Sequence, residues 1–267
     1  MRLRPIAGVV LRQWYLMRGS PVRVLPMFAW VAIDIVLWGF ITRYLDAVAG
    51  SRINFVASLL GAVLLWDFCT RVMQGVTTAF LEDVWSRNFL NFFATPLAIS
   101  EYVSGLVATS IVTSLFGLAV MLVLATAVFG LPFFAMGLAL VPFLLVLFLF
   151  GIALGIFASA FVLRLGPASE WMVWPLPALI SPFVGVFYPL STLPAWMQVI
   201  ARALPPSYVF EGMRAIVLGK AFALEPLLAG LALAALQIVL AVGFFASVYR
   251  HAVRSGLLAR YTAESVN

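Results

Sequence analysis

The sequence predicts an all-α membrane protein. It reads as six transmembrane helices, an amphipathic interfacial helix ahead of them, a short amphipathic helix after the second span and re-entrant helices between spans five and six. Three observations predict this. Of 267 residues, 64% are hydrophobic and only 10% are charged, too little polar material to clothe a soluble domain of this size. Six apolar segments of bilayer-crossing length follow one another, at 24–44, 53–80, 99–129, 132–162, 171–188 and 226–249. Between Ser181 and Arg214 lie five prolines, so that stretch is not one uninterrupted helix. Irregular backbone at membrane depth survives only where protein buries it or water reaches it, which predicts a segment that dips into the bilayer and returns. Spans and short loops consume nearly all of residues 1–267, and no internal repeat divides them, so the chain reads as one domain.

Residues 1–20 form the first element. At 3.6 residues per turn, Ile6, Val9, Val10, Trp14 and Met17 gather on one side, and Arg4, Gly8, Arg12, Tyr15 and Arg18 on the other. Leu11 and Gln13 depart from the pattern. A basic amphipathic helix with a tryptophan on its apolar side is expected to lie in the membrane interface. The alternative is a plain extension of the first span. Gly19-Ser20-Pro21 predicts the elbow between the two, because proline disfavours helix in the residue before it. The arginines break up any secretory leader, so this segment is expected to be retained.

An even number of spans puts both termini on one side. With that side cytoplasmic, eleven of the sixteen basic residues fall inside, the orientation favoured by the positive-inside rule. The net charge of +6 then reflects arginines anchored at a lipid surface rather than a nucleic-acid partner.

The loop at 81–98 is the longest polar stretch on the inner side. It opens with Glu82 and Asp83 and keeps Trp85, Phe89, Phe92 and Phe93 at helical spacing. Arg87 lies among them, and Thr95-Pro96 closes the run. Such a helix can dock in a groove on a cytoplasmic partner or rest on lipid headgroups.

Within the spans, Asp34 lies about 10 residues into the first, near the bilayer centre, where a carboxyl by default marks a site or pairs with a neighbour. Asp67 and Arg71 share a helix face at i,i+4 with the acid first, which suits either a structural ion pair or part of a gate. Gly151, Gly155 and Ser159 form a small-residue stripe that permits close helix approach, within one subunit or across a dimer seam.

Two of these stretches resemble the type-2 permeases of ATP-binding-cassette exporters. The first runs from Glu82-Asp83 to Ala94-Thr95-Pro96-Leu97, matching that family's acidic start and A-T-P-L ending. The second is Gly185, Tyr188, Pro189, Leu193, Pro194 and Trp196, then Leu204, Pro205 and Pro206, then Glu211 and Arg214. Arg87-Asn88 stands where a glycine-threonine pair is usual. The resemblance implies a permease of the bacterial inner membrane that pairs with a second copy, as a homodimer, and recruits two ATPase subunits carrying ATP and magnesium. It makes residues 81–98 a cytoplasmic coupling helix received by the ATPase. It also makes 189–225 an external re-entrant region closing the path, with export of an amphipathic, lipid-like or glycan substrate.

A rival reading is an ion-coupled secondary transporter built on Asp34, Asp67 and Arg71. A membrane-embedded enzyme would need clustered catalytic polar groups, and the sequence offers none. The chain itself lacks a phosphate loop. The nearest approach, Gly212 to Gly219-Lys220-Ala221, has six residues between its glycines and alanine where a hydroxyl should hold magnesium. One histidine, His251, and one cysteine, Cys69, supply neither a metal site nor a disulfide.

Overall fold

The computed structural model describes residues 3–19, 21–49, 59–86, 97–130, 140–219 and 224–255, and among them all regular structure is helical, with no strand. The long helices are α1 (Leu3–Arg18), α2 (Pro21–Ala49), α3 (Gly61–Trp85), α4 (Ile99–Phe129) and α5 (Leu140–Leu165). Three shorter helices follow, α6 (Leu176–Val184), α7 (Ala195–Arg202) and α8 (Pro205–Val217), before the final α9 (Leu224–Ser255). Among the described residues, α4, α5 and α9 are long and apolar enough to cross a membrane. At 1.5 Å per residue each exceeds the roughly 30 Å of a hydrocarbon core.

The core sits around α3. Its buried residues occupy every side of the helix, including Leu64, Phe68, Val72, Met73, Val76 and Phe80. Helix α5 packs along it through the small-residue stripe: a Cβ on Gly151 would lie 2.8 Å from the Cys69 carbonyl oxygen, and one on Gly155 2.7 Å from Val76 Cβ. The stripe therefore serves a contact within one chain. On the other flank α4 crosses α3 at Gly75, whose absent Cβ makes room for Ser110, and the Ser110 hydroxyl donates to the Val72 carbonyl at 2.8 Å. Close packing of backbones replaces the hydrophobic effect where the surroundings are themselves apolar. Helix α9 lies against α5, and its Phe245 meets Phe80 edge to face at 6.2 Å.

Two stretches differ from the sequence expectation. Helix α3 does not stop at Phe80 but continues to Trp85, because Leu81 and Val84 extend its buried stripe by one more turn. Glu82, Asp83 and Trp85 thus ride on the end of a core helix. The expected apolar span at 171–188 is not a continuous helix. A 3-10 turn at Pro167–Met172 leads into the nine-residue α6, about 14 Å long, which carries Pro182 inside and ends at Gly185 with φ 69°. Each proline removes a ladder donor, and hydropathy alone does not register that loss.

A methyl group at Gly155 must push on the α3 backbone, whereas one at Gly243 of α9 meets nothing within 4 Å. Gly155→Ala is therefore expected to destabilise the detergent-solubilised protein by about 1–3 kcal/mol, as overpacked cores do. Gly243→Ala is expected to leave the thermal unfolding midpoint unchanged or raise it.

Candidate functional site: polar clusters in an apolar bundle

Three polar clusters interrupt the apolar packing. The first joins α1, α3 and α4. The Asp83 side chain is 0% exposed and forms an ion pair with Arg12 of α1. The Tyr102 hydroxyl, on the second turn of α4 and itself buried, donates to Asp83 Oδ2 at 2.7 Å. One turn earlier on α3, the Gln13 side-chain amide donates to the Ala79 carbonyl at 3.1 Å. Val9 fits against Gly105 of α4, where a Cβ would come within 2.7 Å of it. Helix α1 is thus docked on the bundle through Val9, Arg12 and Gln13, while Leu11, Trp14 and Tyr15 face outward. Its inward side is rotated from the sequence-derived wheel: Gln13 departed from the apolar face because it is a buried donor.

Beside this cluster, Trp85 is exposed and its indole N–H donates to Glu170 Oε2 at 2.7 Å, tying the end of α3 to the 3-10 turn after α5. Glu101 closes the start of α4 by accepting from the Ala98 backbone N–H at 3.1 Å. Glu82 is partly buried on the same turn of α3. Arg87, Phe89, Thr95 and Pro96 lie outside the described residues, so the remainder of the expected short helix is not placed.

The second cluster brings together Asp34, Asp67 and Arg71, the three charges expected within the spans. Arg71 Nε donates to Asp67 Oδ2 at 3.0 Å, and its Nη2 is also 3.0 Å from that oxygen. The Arg71 stem lies over Gly117 of α4, 3.4 Å from where a Cβ would stand. Asp34, half-buried near the midpoint of α2, is within electrostatic range of both. Two carboxylates and one guanidinium therefore share one region. Charges in such surroundings are rare and face a partner or a water-filled space.

The third cluster holds the proline-rich segment. Arg214 Nη2 donates to the carbonyls of Gly185 at 2.5 Å and Tyr188 at 2.9 Å, and lies 3.3 Å from Glu211 Oε1. The same Glu211 oxygen accepts from the Leu190 backbone N–H at 2.8 Å. The Tyr188 hydroxyl donates to the Pro182 carbonyl at 2.7 Å, and Phe187 stacks on Trp38 of α2. Pro189 opens a one-turn 3-10 helix, Leu193 is buried behind it, and Pro194 starts α7. Glu211 and Arg214 are thus the two residues of α8 that pin the turn between α6 and α7. Every freed backbone group named here finds a partner inside the chain, as membrane burial demands.

The sequence pointed to Asp34, Asp67, Arg71, Glu211, Arg214 and the acidic pair at 82–83. It did not single out Tyr102 or Glu170, and treated Arg12 and Gln13 only as wheel positions. Gln13 on an apolar face was the one local signal available; Tyr102 and Glu170 gave none.

An all-helical bundle with long apolar helices and internally satisfied irregular segments defines a multi-pass membrane protein. The family model described as ABC-2 type transporter matches residues 9–218, from Val9 on α1 to the end of α8. The chain belongs to that family, the membrane permeases of ATP-binding-cassette transporters. A search of curated proteins gives no match.

Removing one partner of a buried pair leaves an uncompensated charge, which costs about 3–5 kcal/mol. Asp83→Ala is expected to destabilise the protein by that order. The Arg12→Ala/Asp83→Ala double variant should lose clearly less than the sum of its single variants in thermal unfolding. Strict additivity would show that the two side chains do not depend on each other.

Proposed function

We propose that this chain is the permease subunit of an exporter that moves an amphipathic, lipid-like or glycan substrate out across the bacterial inner membrane. A separate ATPase subunit, carrying ATP and magnesium, drives it. The observation that carries the reading is the family match over residues 9–218, which includes both the end of α3 and the proline-rich segment. On this reading two permease copies and two ATPase subunits make the transporter. Six spans cross the bilayer, the fifth as the broken stretch containing α6, and both termini are cytoplasmic. Residues 1–20 lie at the inner interface.

The coupling region at 81–98 would use Glu82, Trp85, Arg87, Phe89, Thr95 and Pro96 toward the ATPase. Asp83 would act in it from inside, by fixing α1 through Arg12. A push on the end of α3 then reaches α1 through that ion pair and the broken fifth span through Trp85 and Glu170. The region at 189–225 would close the outer mouth, with Gly185, Tyr188, Pro189, Leu193, Pro194, Glu211 and Arg214 keeping its turns in shape. Asp34, Asp67 and Arg71 would line the path or its gate, at the depth where a polar substrate needs partners.

The same cluster favours a second reading, an ion-coupled transporter in which Asp34 takes up the proton or cation beside the Asp67–Arg71 pair. Affinity purification of the chain from its own membrane separates the two. The first reading predicts a co-purifying ATP-binding subunit in one-to-one ratio and transport that survives collapse of the proton gradient. No such subunit in mild detergent, with transport abolished by gradient collapse and by Asp34→Asn, would establish the second.

A further inference from the structure

The last helix carries a stripe that changes character along its length. Leu236, Leu240, Gly243, Ser247, Arg250 and Arg254 are spaced by four and three, so they lie on one face of α9. The opposite face, with Ala234, Ala241, Phe245, Val248 and Ala252, is buried in the bundle. Leu236 and Leu240 are exposed, as a lipid-facing helix surface should be. Two turns further on, the same face is Ser247, Arg250, His251 and Arg254, all exposed, lining a groove of about 350 Å³. Among the described residues, neither arginine makes an ion pair, and the only acidic residue on α9 is Glu225, at its far end.

Depth determines what such a groove can meet. From the exposed Leu228 to Ser247 the helix rises about 28 Å, close to the roughly 30 Å thickness of a hydrocarbon core. Arg250, His251 and Arg254 then fall about 5–10 Å beyond it, in the headgroup layer. Gly243 leaves a notch on the hydrocarbon side, where a Cβ would meet nothing within 4 Å. One face thus offers an apolar track, a notch and a pair of guanidiniums with an imidazole and a hydroxyl, in the order in which a phospholipid presents acyl chain, glycerol and phosphate.

We infer that this face of α9 is a binding site for an anionic phospholipid, its phosphate held by Arg250, His251 and Arg254 and one acyl chain laid along Leu236, Leu240 and Gly243. Ser247 stands at the level of the glycerol and offers its hydroxyl there. A lipid is favoured over a protein partner because the basic groove continues a surface already in hydrocarbon. This site lies past residue 218, outside the stretch that the family model matches, and it requires no ATPase.

The test uses the full chain in phosphatidylcholine nanodiscs doped with phosphatidylglycerol, with retained lipid counted by native mass spectrometry. Wild type is expected to keep phosphatidylglycerol in preference to phosphatidylcholine. Arg250→Gln/Arg254→Gln should weaken that preference roughly thirtyfold, since each basic residue near an anionic surface favours it about fivefold. Gly243→Leu, which fills the notch without changing charge, should also lower retention, and His251→Gln should do so less strongly. Arg164→Gln, at the end of α5, should change nothing. Equal retention by the double-arginine variant would overturn the site. Loss of the lipid to millimolar inorganic phosphate would show a plain anion pocket. Unchanged retention in Gly243→Leu would show attraction of headgroups without a lipid track. An acidic protein competing with the lipid at stoichiometric concentration would make the face a protein-docking surface instead.

Discussion

The Asp83 carboxylate is fully buried, so the chain must bring a cation and a hydroxyl to it, and that requirement orders one whole end of the bundle. A buried charge without partners is costly, and the penalty falls only when geometry supplies both an opposite charge and a hydrogen bond. Arg12 and Tyr102 do so from two different helices. As a result α1 is fixed to α3 and α4 by electrostatics, while Gln13 and Val9 set its rotation and closest approach. Replacing the ion pair with apolar residues would keep the packing but remove what orients α1 on the bundle.

The same logic governs the backbone groups of the proline-rich segment. The proline-rich segment is broken into short helices that its prolines open, and side chains satisfy backbone groups left free between them. Arg214 caps two carbonyls of the turn at 185–188, Glu211 accepts one free N–H, and the Ser207 hydroxyl donates to the Ala201 carbonyl at 2.6 Å. An Arg–Glu pair three residues apart contributes little as an ion pair on an open surface. Here its value is geometric, because both side chains are engaged with backbone that no helix satisfies. The close crossings of α3 with α4 and α5 let those polar links sit on rigid supports, since glycine at 75, 151 and 155 brings the backbones together.

Much of this was legible in the sequence, because membrane burial writes strong periodic signals. Long apolar runs gave α4 at its observed bounds and located α5 and α9, whose C-terminal ends lie three and six residues beyond the expected ones, and the glycine stripe announced a close crossing, though not which helix would receive it. The prolines announced broken helices between 189 and 214. Between 167 and 182 the apolar composition suggests a plain span, although Pro167, Pro175, Pro177 and Pro182 interrupt it. Composition measures transfer into lipid, whereas helix continuity depends on a donor at each position, and the two part company at Pro175, Pro177 and Pro182. Asp83 was singled out for its charge and its place in a loop, but its burial depends on α1 folding back over the end of α3. That contact joins residues 71 positions apart, and no local pattern encodes it.

On the proposed function, the Arg12–Asp83 pair carries motion between the end of α3 and the N-terminal helix. ATP hydrolysis in the complex purified through this chain, comparing wild type with Arg12→Gln, decides whether it does. If it does, the variant still assembles with its ATPase but hydrolyses ATP several-fold more slowly. An assembled complex that hydrolyses at the wild-type rate with the pair broken would contradict it.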